Sequence, residues 1–446
     1  MSYQGDILLL FFIACQYNSK LEQKNWIHQV LVDDNLMWKD RLELLEHKLT
    51  VMEQHPYDFM RGSLSLHIQE SQRITGERKE FHLNSEDSIL FFQIGDPHPE
   101  NISVSVQRDQ PEQSQMFWAD LDASGFGPWY WDLRRAGVGL LFFAESIECD
   151  CTSQIIPALL DGYFESPTRS TSYQFQSTII HSLVDEARDE GSESKKYNKY
   201  TSNNTIVRDE FLDEQGKGIL SLNMEESLQL NRLLESISMD DSVTIHDSAR
   251  RYGMGISSRP AIRYVVALED SLRNHSELIL IREVVDSVPL YTFSNYFDSN
   301  AQRIEQASKW IWDSPTPDIW YQGVQDGNLS FKVTGWNSYI QDIDREKIHE
   351  EFVDGVYSNQ DMIDLATDIG VSLYLAHTSA PLYDGRPSKA ILDGILLQRD
   401  HEELQSMLLD MIDDDVAQLY ENYALFQEIF REKGSTIGIE YIGDSL

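Results

Sequence analysis

The sequence predicts an α+β protein built from two unlike halves, on three observations. Apolar residues recur at helical spacing over 20–55, at Trp26, Val30, Leu31, Leu36, Trp38, Leu42, Leu45 and Leu49, and the chain is mainly helical from Gln341 onward. Two strand-rich stretches, 88–119 and 243–285, lie between these ends. A polar run from Asp185 to Lys217 separates the two stretches and reads as an exposed insertion or linker. A chain of 446 residues suffices for two or three domains or one large two-lobed one, and 41% hydrophobic content with 20 Tyr, 19 Phe and 9 Trp supports a packed interior.

The formal charge is −38. A field of that sign repels nucleic-acid backbones, which argues against DNA or RNA as a partner. It also means that any phosphate ligand needs a locally basic pocket inside an acidic molecule. The three cysteines are Cys15, Cys149 and Cys151. Cys149 and Cys151 stand too close for an ordinary disulfide and lack companions for a zinc site, so buried or incidental thiols are expected.

At the N-terminus, Ile7 to Cys15 is too short to span a bilayer. Two readings stand side by side. One is a bacterial lipoprotein signal over 1–15 with Cys15 as lipid acceptor, the only route by which a membrane enters as partner. The other, a buried N-terminal helix in a cytoplasmic protein, fits the absence of Lys and Arg from Met1 to Asp6.

The elements follow in order. Helices fill 20–55, and Pro56 to Gly62 interrupts them. Ser88 to Ile94 is a strand leading into Gly95. Ile102 to Val106 alternates as a half-buried strand, Gln107 to Gln115 is a polar turn, and Met116 to Ala119 returns to complete a hairpin. Helices are expected from Trp129 to Glu145, over about 153–165 and 172–188, and from Met224 to Ile237. The second β-rich segment holds a Gly-rich turn at Gly253 to Ser258, strands at Ala261 to Leu268 and Leu278 to Val285, then a helix from Ala301 to Trp312. The implied organisation is 1–55 helical, 56–185 a catalytic-loop half, 186–240 polar linker and helix, 241–340 a β-rich half and 341–446 a helical end.

The chemistry-bearing stretch is Gly95-Asp96-Pro97-His98-Pro99-Glu100-Asn101, followed after the hairpin by Asp120-Leu121-Asp122. An acid, an amide and a second acid spaced by a hairpin suit phosphoryl transfer. Asp96 orients an attacking hydroxyl, His98 braces the loop, and Asn101, Asp120 and Asp122 supply oxygen ligands for Mg²⁺. A polar turn followed by an acidic turn is the plain alternative. Gly253 and Gly255, with Ser257, would let backbone N–H groups approach the phosphates of ATP or another nucleotide, or merely form a tight turn. Arg61 is either a phosphate clamp or a structural ion pair, and His377, on an apolar helix, reads as a packed, hydrogen-bonded histidine.

The Asp96–His98–Asn101 loop, the hairpin, Asp120 and Trp131-Asp132-Leu133 together resemble the aminoglycoside-phosphotransferase branch of the protein-kinase-like superfamily. Phe59-Met60-Arg61-Gly62, Trp131 to Arg135, Gly253 to Ser257, Ile281-Arg282-Glu283 and Leu373 to His377 extend the resemblance, in order, to a bacterial family, domain of unknown function 2252. It implies a two-lobed kinase-like fold with the lobes permuted, the catalytic loop preceding the Gly-rich hairpin. It also implies Asp132 as a structural acid bonded to that loop. Arg282 stands where such folds use Lys, and Glu305 is its candidate helix partner. The expected function is Mg²⁺-dependent transfer of a nucleotide γ-phosphoryl to an unidentified small-molecule acceptor. The alternative is an inactive, pseudokinase-like envelope lipoprotein that binds a ligand or partner.

Overall fold

The computed structural model describes residues 20–77, 89–168, 173–192, 194–272, 275–285, 296–312, 316–398 and 400–442. Cys15 and the signal reading of 1–15 lie outside these residues. The architecture is mixed α+β, in two compact units. Among the described residues no helix is long and apolar enough to cross a membrane.

The first unit comprises Met1–Glu77, Gly255–Pro260 and Asp414–Leu446. It holds α1 (20–35), α2 (Leu42–Gln54), α3 (Pro56–Gly62), α4 (Leu64–Glu77) and the last part of a long C-terminal helix. The helical run is interrupted at the extended His55, and Pro56 then opens α3. A proline at the first helical position gives up an N–H that has no partner there, and the His55 side chain accepts from the Tyr57 N–H. Phe59 stacks on Phe426 at 5.0 Å, and the Tyr423 hydroxyl donates to the Glu53 carbonyl at 2.6 Å.

The second unit comprises Arg78–Met254 and Ala261–Asp413. Its first part carries β1 (Phe91–Gln93), β2 (Ile102–Gln107), β3 (Gln110–Trp118), β4 (Gly125–Gly127), α5 (Tyr130–Ser146) and α6 (Thr152–Glu165). Next come α7 (Thr178–Ser192), α8 (Lys195–Tyr200), β5 (Thr201–Ser202), β6 (Thr205–Ile206), β7 (Gly218–Leu220) and α9 (Met224–Ser236). Then follow β8 (Val243–Tyr252), β9 (Arg263–Asp270), β10 (His275–Val284), α10 (Asn300–Ile311), β11 (Gln322–Asp326), β12 (Leu329–Gly335) and β13 (Ile340–Asp342). The unit closes with α11 (Arg345–Val353), α12 (Asn359–Ser379), α13 (Ser388–Gln398) and the start of α14 (His401–Lys433).

The main sheet is antiparallel, ordered β11-β12-β10-β9-β8-β7. Strand alternation sorts its side chains onto two faces. Ile279 and Ile281 of β10 join Tyr264, Val266, Phe331 and Val333 against Leu230 and Leu233 of α9. Leu278 and Leu280 face the other way, with Val265, Ala267, Ala249, Tyr197 and Trp336. The segment 186–240 is therefore not a bare linker: β7 extends the sheet, while α8 and α9 cover opposite faces through Tyr197, Leu230 and Leu233. Its polar residues form the outer surface of these short elements.

A second difference concerns the cysteines. Cys149 and Cys151 are bonded to each other, with Cα atoms 5.3 Å apart. The turn leading into α6, with Glu148 at φ 60°, brings alternate residues within disulfide reach.

Candidate functional site

The proposed catalytic loop leaves β1 and is gripped at once by a buried acid. Asp132, in the first turn of α5, accepts from the Ile94 N–H at 2.7 Å through Oδ2 and from the Gly95 N–H at 2.9 Å through Oδ1. His377 Nε2 lies 3.0 Å from Asp132 Oδ2, and Tyr163 Oη lies 2.8 Å from His377 Nδ1. Burial, then the Asp132 charge, holds the Tyr163 phenol well above its ordinary pKa, so it keeps its proton. Asp132, His377 and Tyr163 thus form one buried hydrogen-bonded chain through the two imidazole nitrogens. His377 is thus packed and hydrogen-bonded, as its apolar surroundings indicate.

Gly95 has φ 89°, and a Cβ there would lie 2.0 Å from the Ala123 carbonyl oxygen. Only glycine lets the loop lie this close to the 120–124 turn. Asp96 Oδ1 accepts from Arg135 Nε at 2.7 Å, and His98 Nε2 stands 3.7 Å from Asp96 Oδ2. Asn101 Nδ2 donates to the Asp96 carbonyl at 2.8 Å. Its Oδ1 accepts from no described residue, so the amide presents oxygen rather than nitrogen. The β2–β3 pairing of Ile102 with Trp118, and the bond from Ala119 N–H to the Asn101 carbonyl at 2.9 Å, set Asp120 beside Asn101.

Two cations meet the acidic turn from the sheet. Arg282 Nη2 donates to both Asp120 oxygens at 2.9 and 3.0 Å and also pairs with Asp122. Lys332 Nζ lies 2.9 Å from Asp120 Oδ1 and 2.8 Å from Asp122 Oδ1. Burial alone pushes the Asp120 carboxyl up, but Arg282 and Lys332 outweigh it and hold the group well below the usual carboxylate range. Burial likewise disfavours charge on Arg282, and Asp120 and Asp122 more than restore it.

The register carries this further. Arg263 of β9, Arg282 of β10 and Lys332 of β12 are direct cross-strand partners and so share a face. Arg251 of β8 lies one residue beyond the Arg250–Tyr264 pair, with its guanidinium 3.7 Å over the Trp336 ring. Four cations on four neighbouring strands form one row. Burial, then Arg282, Arg251 and Arg250, presses Arg263 well below an ordinary arginine, and burial brings Arg251 to about 10. Like charges directly opposite are unfavourable. The row therefore concentrates positive charge on one face of the sheet, with Asp120 and Asp122 paired to its Arg282 and Lys332 members.

The remaining predicted residues fall differently. Glu305 pairs with Lys309 one turn along α10, not with Arg282. The inward position is taken by Arg303, two residues and so more than half a turn away. Arg303 is fully buried, and its Nη1 donates to the Asp122 and Ser124 carbonyls at 2.8 and 3.0 Å, locking the acidic turn. Gly253 has φ 76°, and a Cβ would meet the Gly216 oxygen and Lys217 Cα at 2.6 Å, so backbone packing accounts for this glycine. Gly255 and Ser257 belong to the first unit, as does Arg61, whose guanidinium sits 5.6 Å over the Tyr57 ring. Lys332, Arg135 and Arg303 were not singled out by sequence reasoning. A lone lysine in the alternating run Leu329 to Val333 was the available signal for the first, and the paired arginines after Asp132 for the second.

A family model described as "Uncharacterized protein conserved in bacteria (DUF2252)" matches residues 41–429. No curated protein and no solved structure matches the chain.

Proposed function

The chain belongs to the DUF2252 family, and from its site we propose a kinase-like phosphotransferase that moves a nucleotide γ-phosphoryl, with Mg²⁺, to a small-molecule hydroxyl. The observation that carries the reading is the buried cross-strand row Arg263–Arg282–Lys332, in which Arg282 and Lys332 pair with Asp120 and Asp122. The element order supports it. A glycine-bearing connection joins the first two long strands, a cation sits on the third, and a helix follows, as in the nucleotide-covering lobe of kinases. The catalytic loop precedes this sheet in sequence, so the lobes would be permuted.

In this reading the cation row grips the phosphate chain. Lys332 supplies the lysine expected on the third strand, one strand over, and Arg282 adds a forked donor. Asp96, its orientation fixed by Arg135, takes the proton of the acceptor hydroxyl. The acceptor oxygen bonds the γ-phosphorus as the bond to the β,γ-bridging oxygen breaks, and the nucleoside diphosphate leaves.

The donor set suits magnesium in kind. Asn101 Oδ1 is open, Asp120 and Asp122 offer carboxylate oxygens, and Mg²⁺ takes few protein ligands beside phosphate. Among the described residues no group of three or more His, Cys, Asp or Glu is arranged to hold a metal alone. Bound there, Mg²⁺ would neutralise charge developing on the phosphoryl oxygens.

Calorimetry with ATP, with and without Mg²⁺, on wild type and Asp120→Ala tests the reading. Wild type should bind more tightly with Mg²⁺, and the variant should lose that dependence. Absence of nucleotide binding by wild type sinks the proposal, and an unchanged Mg²⁺ effect in the variant removes Asp120 from the metal. Mass spectrometry of products then separates phosphorylation from nucleotidylation.

A further inference from the structure

Cys149 and Cys151 stand where the end of α5 meets the start of α6, and their backbone is held without help from their sulfurs. The Cys149 N–H donates to the Ala144 carbonyl of α5 at 2.9 Å, and the Cys151 carbonyl accepts from the Gln154 N–H of α6 at 2.9 Å. Asn359, the first residue of α12, donates through Nδ2 to the Asp150 carbonyl between them at 3.0 Å. The disulfide closes only the loop 149–151, and chain entropy gives so short a loop little stabilisation. The turn therefore keeps its anchors when the sulfurs part.

Each sulfur also faces a group suited to its reduced form. Asn359 Oδ1 lies 3.4 Å from Cys149 Sγ. A disulfide sulfur has no proton to give that oxygen, whereas a thiol donates to it. Cys151 is the N-cap residue of the 14-residue α6, and its side chain makes no capping hydrogen bond. A thiolate formed there meets the positive end of the helix dipole, which stabilises it.

The two sulfurs are not equivalent to an incoming thiol. Cys149 is 6% exposed and Cys151 1%. Access favours attack on Cys149. The helix end favours Cys151 as the leaving group, because a thiol of lower pKa leaves faster. Glu148 and Asp150 flank the pair and are exposed, so an anionic thiol is repelled.

We propose that Cys149–Cys151 is a thiol–disulfide exchange site that takes an uncharged dithiol as reductant and cycles while the protein stays folded. A thiolate of the dithiol attacks Cys149 Sγ, the S–S bond breaks, and Cys151 leaves as thiolate. The second thiol of the reductant, once deprotonated, attacks its own sulfur in the mixed disulfide. Cys149 is released and takes up a proton, and the reductant closes to its cyclic disulfide. Two electrons pass to the cysteine pair, and the second proton goes to Cys151 or to solvent according to pH. The inference does not depend on phosphotransfer.

The test uses the full chain carrying Cys15→Ser, which leaves this pair as its only cysteines. The protein is equilibrated with mixtures of reduced and oxidised dithiothreitol, and thiols are then counted by alkylation in denaturant and mass spectrometry. A reversible two-thiol transition is expected without denaturant during equilibration, with hydrogen exchange over Tyr130–Ser146 and Thr152–Glu165 changing less than threefold. Asn359→Ala removes the acceptor for the Cys149 thiol and should shift the midpoint at least threefold toward the disulfide. During reduction by 2-mercaptoethanol, acid quenching should trap the adduct on Cys149. The anionic 2-mercaptoethanesulfonate should react at least threefold more slowly at equal thiolate concentration. If the Asn359 variant does not fold, the transition of the Cys15→Ser protein and the adduct position decide. Reduction only in denaturant, loss of protection in both helices, an unmoved midpoint in a folded Asn359 variant, an adduct on Cys151, or no preference for the uncharged thiol overturns the proposal.

Discussion

Asp132→Asn tests how the loop bearing Asp96 is held, independently of any reaction. Asp132 is 1% exposed and serves the Ile94 N–H, the Gly95 N–H and His377. Asparagine has one acceptor oxygen. If that oxygen stays with Ile94 and His377, the amide nitrogen opposes the Gly95 N–H. One charge-assisted bond, about 1.5–3 kcal/mol, is lost, and a buried donor left unsatisfied costs about 1–3 kcal/mol more. The sum, about 2.5–6 kcal/mol, corresponds at about 1.4 kcal/mol per tenfold to a fall of about two to four orders of magnitude in exchange protection of the Gly95 amide. Amide exchange followed by NMR or mass spectrometry reads this directly and needs no two-state unfolding. A change below about threefold would refute the claim that Asp132 anchors the loop.

Three further outcomes are expected. Lys332→Met frees Asp120 and Asp122 from one cation, so calorimetry should show tighter binding of Mg²⁺ alone and at least tenfold weaker binding of ATP; the opposite pattern contradicts the site. Asp318, chiefly through burial, has its carboxyl pushed up to about 6 despite N–H bonds from Trp320 and Gly335. Because the folded state then holds its proton more tightly than the unfolded state, stability falls as pH rises from about 4 to 6. Asp318→Asn should therefore gain melting temperature relative to wild type across that window, and a flat difference would count against the shift. Reduction of Cys149–Cys151 opens a very short loop, so chain entropy predicts a loss of only about 1–2 kcal/mol. A larger collapse of the melting temperature under dithiothreitol would show that the bond does more than close a turn.

The legible parts of this protein were those with local signatures. The loop from Gly95 to Asn101, the acidic turn and the strands of β9 and β10 announce themselves through spacing and alternation. The β11–β12 hairpin has its own local signal, Asp326-Gly327 between Val324 and Phe331. No such local signal places Lys332 at the site, because that place comes from cross-strand register with Arg282. Register is a long-range property, fixed by pairing that no short window contains. Glu305 failed as a partner for a related reason: which side of α10 faces inward depends on packing, and Arg303 takes that side. Pro56 marks a real interruption, with His55 extended between α2 and α3, and it also opens the next helix.

The row of buried cations also bears on how a ligand would arrive. The molecule as a whole carries −38, so an anion approaching through solvent is repelled until it meets the sheet face. Added salt screens exposed charges within about a Debye length and buried ones far less. Arrival of an anionic ligand should therefore speed up as ionic strength rises, while the grip of the row, once reached, weakens only modestly. That is the reverse of the usual behaviour of a phosphate-binding protein, in which salt slows association.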